Sequence, residues 1–87
     1  MLEHWQALSN EGRYRVKIWG TDPDHLVMIW DRELNSYNTT DGGSAKNELS
    51  GSLADAKVWA EGRIRELGSD LEGAEWEPLH EKIPNVG

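Results

Sequence analysis

Two neighbouring runs decide the fold: Arg13-Tyr14-Arg15-Val16-Lys17-Ile18-Trp19 and His25-Leu26-Val27-Met28-Ile29-Trp30-Asp31. In the first, Tyr14, Val16 and Ile18 alternate with Arg13, Arg15, Lys17 and Trp19. Period-two alternation with β-branched and aromatic residues on the apolar side is the signature of a strand. The second run is apolar on both faces at its centre, which places it inside a sheet. Between them lies Gly20-Thr21-Asp22-Pro23-Asp24. Proline fixes φ there and the Asp side chains can bond nearby backbone, so the segment turns. The two runs form a β-hairpin.

Working outward, Leu2, Trp5 and Leu8 recur every three residues, and Ser9-Asn10-Glu11-Gly12 reads as a turn. This spacing predicts a short N-terminal helix that packs Trp5 on the core. Past the hairpin, residues 32–35 turn, and the polar run at 36–40 is expected as a third, edge strand. Residues 41–51 form a long loop rich in Gly and Ser.

A helix follows. Ser52 suits the N-cap, with Asp55 in the capping-box position. Leu53, Ala56, Ala60, Ile64 and Leu67 recur at helical spacing, Trp59 widens the stripe, and Gly68 stands where a C′ glycine ends a helix. Gly62 interrupts the middle at a cost of about 1 kcal/mol against Ala. The tail, 70–87, carries Asp70, Glu72, Glu75, Glu77 and Glu81 against Lys82 alone. Residues 74–77 suit a short strand or an extended segment laid on the sheet through Trp76, and Pro78 and Pro84 limit regular structure beyond.

The expected architecture is one α+β domain over residues 1–87. It has a short N-terminal helix, a three-stranded antiparallel sheet, one long helix across one face, and an acidic C-terminal segment, extended or mobile, over about residues 70–87. The expected core is Tyr14, Val16, Ile18, Met28, Trp30, Leu53, Ala56, Trp59, Ala60, Ile64 and Leu67.

Composition narrows the function. There is no cysteine, which removes disulfides, thiolate nucleophiles and Cys-ligated metals. The net charge of −7 opposes direct binding to a nucleic-acid backbone and favours a basic partner or mimicry of a nucleic acid. No membrane span and no secretory leader are read, so the cytoplasm is the expected compartment. Five Trp and no Phe are many indoles for so small a core, and at least one is expected to meet another molecule.

The meander, the Gly-rich loop and the helix beginning Gly51-Ser52-Leu53-Ala54-Asp55-Ala56-Lys57 resemble small accessory proteins of bacteriophages, particularly those of actinobacteria. The order is also loosely similar to the β-β-β-α half of HicB-type antitoxin domains. The likeness covers about residues 13–67. No DNA-binding helix-turn-helix or ribbon follows the helix, which departs from the HicB pattern, and neither group lends a functional residue to this chain.

Chemical motifs are absent. His4, His25 and His80 lack metal-ligand spacing, and Asp22-Pro23-Asp24-His25 is ordinary turn chemistry. The Gly-rich loop lacks the P-loop spacing and its Lys-Ser/Thr pair. No base is placed beside a nucleophile. No enzyme, metal or cofactor is therefore expected.

The residues singled out for contact are Trp19 and Trp76, the strand cations Arg13, Arg15 and Lys17, and the tail acids Glu75 and Glu77. They point to a non-enzymatic protein–protein interaction module, a bacteriophage accessory protein acting on a host protein or pairing with itself. The alternatives are an acidic mimic that blocks a DNA-binding complex, as anti-CRISPR inhibitors do, or a weak single-strand binder through Arg13, Arg15 and Lys17.

Overall fold

A computed structural model describes residues 3–21, 23–39 and 44–85. Its elements are β1 (His4–Leu8), β2 (Tyr14–Gly20), β3 (His25–Asp31), β4 (Ser36–Tyr37), β5 (Asn47–Leu49), α1 (Leu53–Glu66) and β6 (Glu77–Pro78). The class is α+β, with one helix against an antiparallel sheet. The sheet has six strands rather than three, in the order β4-β3-β2-β1-β6, and β5 also pairs with β3.

The hairpin is as its alternation predicts. β2 and β3 pair from Tyr14↔Asp31 to Gly20↔His25, and the Thr21 N–H donates to the Asp24 carbonyl at 2.9 Å across the turn. Tyr14, Val16, Ile18, Val27 and Ile29 form the main core with Ala56, Ala60 and Ile64 of α1. The two alanines leave room for the helix backbone to approach the sheet.

The helix ends as its sequence specifies. The Ser52 side chain accepts from the Asp55 N–H and the Asp55 carboxylate accepts from the Ser52 N–H, both at 3.2 Å. Gly68 adopts φ +87°. Its N–H donates to the Arg65 carbonyl and that of Ser69 to the Ile64 carbonyl, the paired bonds of a Schellman motif.

The expected N-terminal helix is a strand. β1 pairs along β2 from His4↔Trp19 to Leu8↔Arg15. So short a segment cannot meet the cost of helix nucleation, whereas the edge of β2 supplies a ready ladder of hydrogen bonds. Of the expected strand at 36–40, Ser36–Tyr37 form β4, and Thr40 lies outside the described residues. The expected loop at 41–51 contributes β5, which pairs from His25↔Leu49 to Val27↔Asn47; its residues 41–43 lie outside the described residues.

The other corrections share one cause, which is that the sheet is covered on both faces. On the face away from α1, Trp19, Leu26, Met28, Ala45 and Leu79 form a second cluster. Met28 is buried in the core as expected, within this second layer, whereas Trp30 flanks it half-buried instead of joining the core. The cover comes from the C-terminal segment. β6 pairs with β1 at Trp5↔Pro78 and Gln6↔Glu77, the Leu79 N–H donates to the His4 carbonyl, and Leu79 is buried. No described helix is long and apolar enough to cross a membrane.

Candidate functional site

The C-terminal segment covers only part of the second face. Trp19, at 1% exposure, is sealed beneath it and donates its indole N–H to the Glu81 carbonyl at 2.8 Å. Trp19 therefore cannot present itself to a partner. The alternation of β2 places it away from the helix, but that side is not the solvent side.

Lys17 is likewise withdrawn. At 7% exposure its ammonium donates to Glu81 Oε2 at 2.7 Å and to the Tyr37 hydroxyl at 3.1 Å. It also lies 5.5 Å from the Trp30 ring centroid and 5.2 Å from that of Tyr37. Burial pushes its pKa down, but the bonds to Glu81 and Tyr37 outweigh this and hold it above the ordinary lysine value.

Arg13 is committed at the hairpin end. Its guanidinium donates through Nε and Nη2 to the two carboxylate oxygens of Asp31 and pairs with Glu33 at 3.3 Å. Asp31 is 2% exposed and also accepts from the N–H groups of Glu33 and Leu34, which fixes the turn after β3. The Arg13 bonds, reinforced by these amides, hold the Asp31 carboxyl below the usual range despite its burial. Cross-strand pairing with Asp31 and Glu33 thus accounts for Arg13, and no continuous cationic strip of Arg13, Arg15 and Lys17 exists.

Arg15 differs. It stands opposite Leu8 on β1 and Trp30 on β3, and Trp30 stands opposite Tyr37 on β4. The row Leu8–Arg15–Trp30–Tyr37 crosses four strands on one face, and every member is half-buried. Trp30 and Tyr37 meet edge to face, with centroids 4.8 Å apart at 77°. The Arg15 guanidinium donates to Gln6 Oε1 at 3.2 Å, and Gln6 in turn donates to the Pro78 carbonyl. Among the described residues no carboxylate pairs with Arg15.

At the Leu8 end a hollow of about 210 Å³ is lined by Ala7, Leu8, Arg15, Glu75 and Glu77. The β1–β6 ladder stops at Gln6↔Glu77, which leaves Ala7 and Leu8 at the open edge. Three of the residues singled out from sequence, Arg15, Glu75 and Glu77, are thus brought together from opposite ends of the chain. Trp76 is not part of this surface. It packs half-buried on the helix side, where the Lys57 ammonium lies 5.0 Å from its ring and 5.4 Å from that of Trp5.

The sequence does not announce Leu8, Trp30 and Tyr37 as site residues: its patterning suggests a helix for Leu8, a polar edge strand for Tyr37 and the core for Trp30. Among the described residues no group of three potential ligands could hold a metal ion. Comparison with protein-family models, with curated proteins and with solved structures finds no match to this chain.

Proposed function

We propose that this chain is a non-enzymatic protein-binding module, of the bacteriophage accessory kind its sequence resembles. Its contact surface is the row Leu8–Arg15–Trp30–Tyr37 with Glu75 and Glu77 at the rim. The observation that carries the reading is a half-buried Trp–Tyr pair beside a guanidinium that pairs with no carboxylate among the described residues. Trp, Tyr and Arg are the side chains enriched at interface hot spots. The main core lies on the opposite face of the sheet; on this face Tyr37 packs at the margin of the second cluster and accepts from Lys17, and Arg15 fills neither core. A partner suited to this surface offers a carboxylate to Arg15, an apolar group to the rings and a cation to Glu75 and Glu77. That partner is a host protein or a second copy of the chain.

Affinity capture from a host lysate, comparing wild type with Arg15→Ala and Tyr37→Ala, tests the reading, and light scattering tests self-association. The expected result is a partner, or a dimer, lost or weakened at least tenfold in both variants. Capture or dimerisation unaffected by either substitution would refute this surface.

The acidic-mimic alternative draws on a different observation. Glu72, Glu75, Glu77 and Glu81 are exposed on a segment whose backbone pairs with β1 at residues 77 and 78, and the Glu81 carboxylate is further held by Lys17. A salt titration separates the two. Mimicry predicts steep loss of binding with added salt, and an aromatic hot spot predicts shallow dependence.

A further inference from the structure

A second opening lies at the far end of the same face, where the β2–β3 turn, β5 and the C-terminal segment meet. It encloses about 320 Å³ and is lined by Thr21, Asp24, Leu26, Lys46, Glu48 and Ile83. That volume lies at the lower end of the range for small-molecule sites. The register explains the lining. Leu26 stands opposite Glu48, and Asp24 and Lys46, each one residue outside its strand, line the same opening with Ile83.

Asp24, Glu48 and Lys46 border the opening together with the buried Leu26 and with Ile83, which is 44% exposed. Among the described residues no ion pair joins Lys46 to either acid. Each charge thus lacks an ion-pair partner among the described residues, and Leu26 and Ile83 add apolar surface.

We propose that this opening binds a small zwitterion with an aliphatic body, a free amino acid or a dipeptide. Its ammonium sits between Asp24 and Glu48, its carboxylate on Lys46 and its alkyl group between Leu26 and Ile83. Such a ligand leaves neither of its charges unpaired as it is desolvated. A phosphate-bearing ligand would face two carboxylates against one ammonium, and a purely apolar ligand would leave all three charges unmatched.

Amide NMR of the intact chain tests this with three probes: L-leucine, 3-methylbutylamine and 4-methylpentanoate. L-leucine should shift the Leu26 and Glu48 amides saturably, with a Kd of about 1 mM. Each probe with a single charge should bind about tenfold more weakly. Lys46→Met should weaken L-leucine about tenfold while leaving the amine unchanged, and the dispersion of the same spectra reports that the variant is folded. Absence of saturable shifts up to the solubility of L-leucine, equal binding of the three probes, or an unaltered response in Lys46→Met would each overturn the assignment.

Discussion

Removing the buried member of the Lys17–Glu81 pair should cost less than removing the exposed one. The Lys17 side chain is 9% exposed and that of Glu81 is 54% exposed. Lys17→Met deletes the charge that pays for desolvation and keeps an unbranched stem between Trp30 and Tyr37. Glu81 is then left in water, where it needs no partner. The loss of one partly solvated ion pair, about 1 kcal/mol, is offset by release of the buried ammonium, so the net change should stay within about 1 kcal/mol. Glu81→Gln does the reverse. It leaves a nearly enclosed ammonium with the Tyr37 hydroxyl, a neutral amide and two ring faces, at an expected cost of about 1–2 kcal/mol. Urea unfolding read by tryptophan fluorescence measures both, and Trp19 reports on the seal because its indole bonds to the Glu81 backbone. The pH dependence gives a second reading. The Lys17 pKa is raised in the folded protein, so its stabilisation is full below the unfolded lysine value of about 10.4. It is lost as pH rises through the higher folded value, a decline that Lys17→Met should lack. A loss above about 2 kcal/mol in Lys17→Met beside a neutral Glu81→Gln would refute the argument.

Asp31→Asn should destabilise by about 1–3 kcal/mol, because Arg13 and two turn amides lose a charged acceptor at a buried site; urea midpoints at neutral pH measure it. The Asp31 pKa is lowered on folding, so its contribution is present above the unfolded value of about 3.9 and lost as pH falls through the folded value. Acid titration should therefore show a shallower decline in the variant over that window. Ser52→Ala removes the N-cap acceptor and should cost about 1 kcal/mol in the same urea assay. Gly62→Ala should raise the thermal midpoint, by up to about 1 kcal/mol of stability, because a Cβ there meets no atom within 4 Å.

What could be read from the chain is what local chemistry fixes. The alternation at Tyr14, Val16 and Ile18, the Ser52/Asp55 box and the Gly68 stop each involve neighbours a few residues apart, and each has its expected geometry. The errors sit where a distant segment decides. Nothing near Lys17 or Trp19 announces that Glu81 will cover them, so a strand face bearing three cations reads as solvent-exposed. Leu2, Trp5 and Leu8 carry a helical spacing too short to act on, and the open edge of β2 recruits the segment instead. Part of the candidate site was nonetheless within reach. A hairpin closed at Gly20↔His25 fixes Arg15 opposite Trp30, so its register would have moved that indole to the Arg15 side. The union of Arg15 with Glu75 and Glu77 depends on β6 and had no local signal.

The pairing of β1 with β6 joins residues 5 and 78, nearly the whole span of the chain. Closing so long a loop returns two ladder pairs, one buried leucine and the bonds of Glu81 to Lys17 and Trp19, whereas the hairpin and the capped helix draw on neighbours. Assembly thus has a natural order, in which the middle of the chain organises first and the terminal seam is sewn last. Until that seam closes, Trp19, Leu26 and Met28 lie open on an unfinished sheet, and an arriving molecule that occupied them first would trap the protein in a half-dressed state.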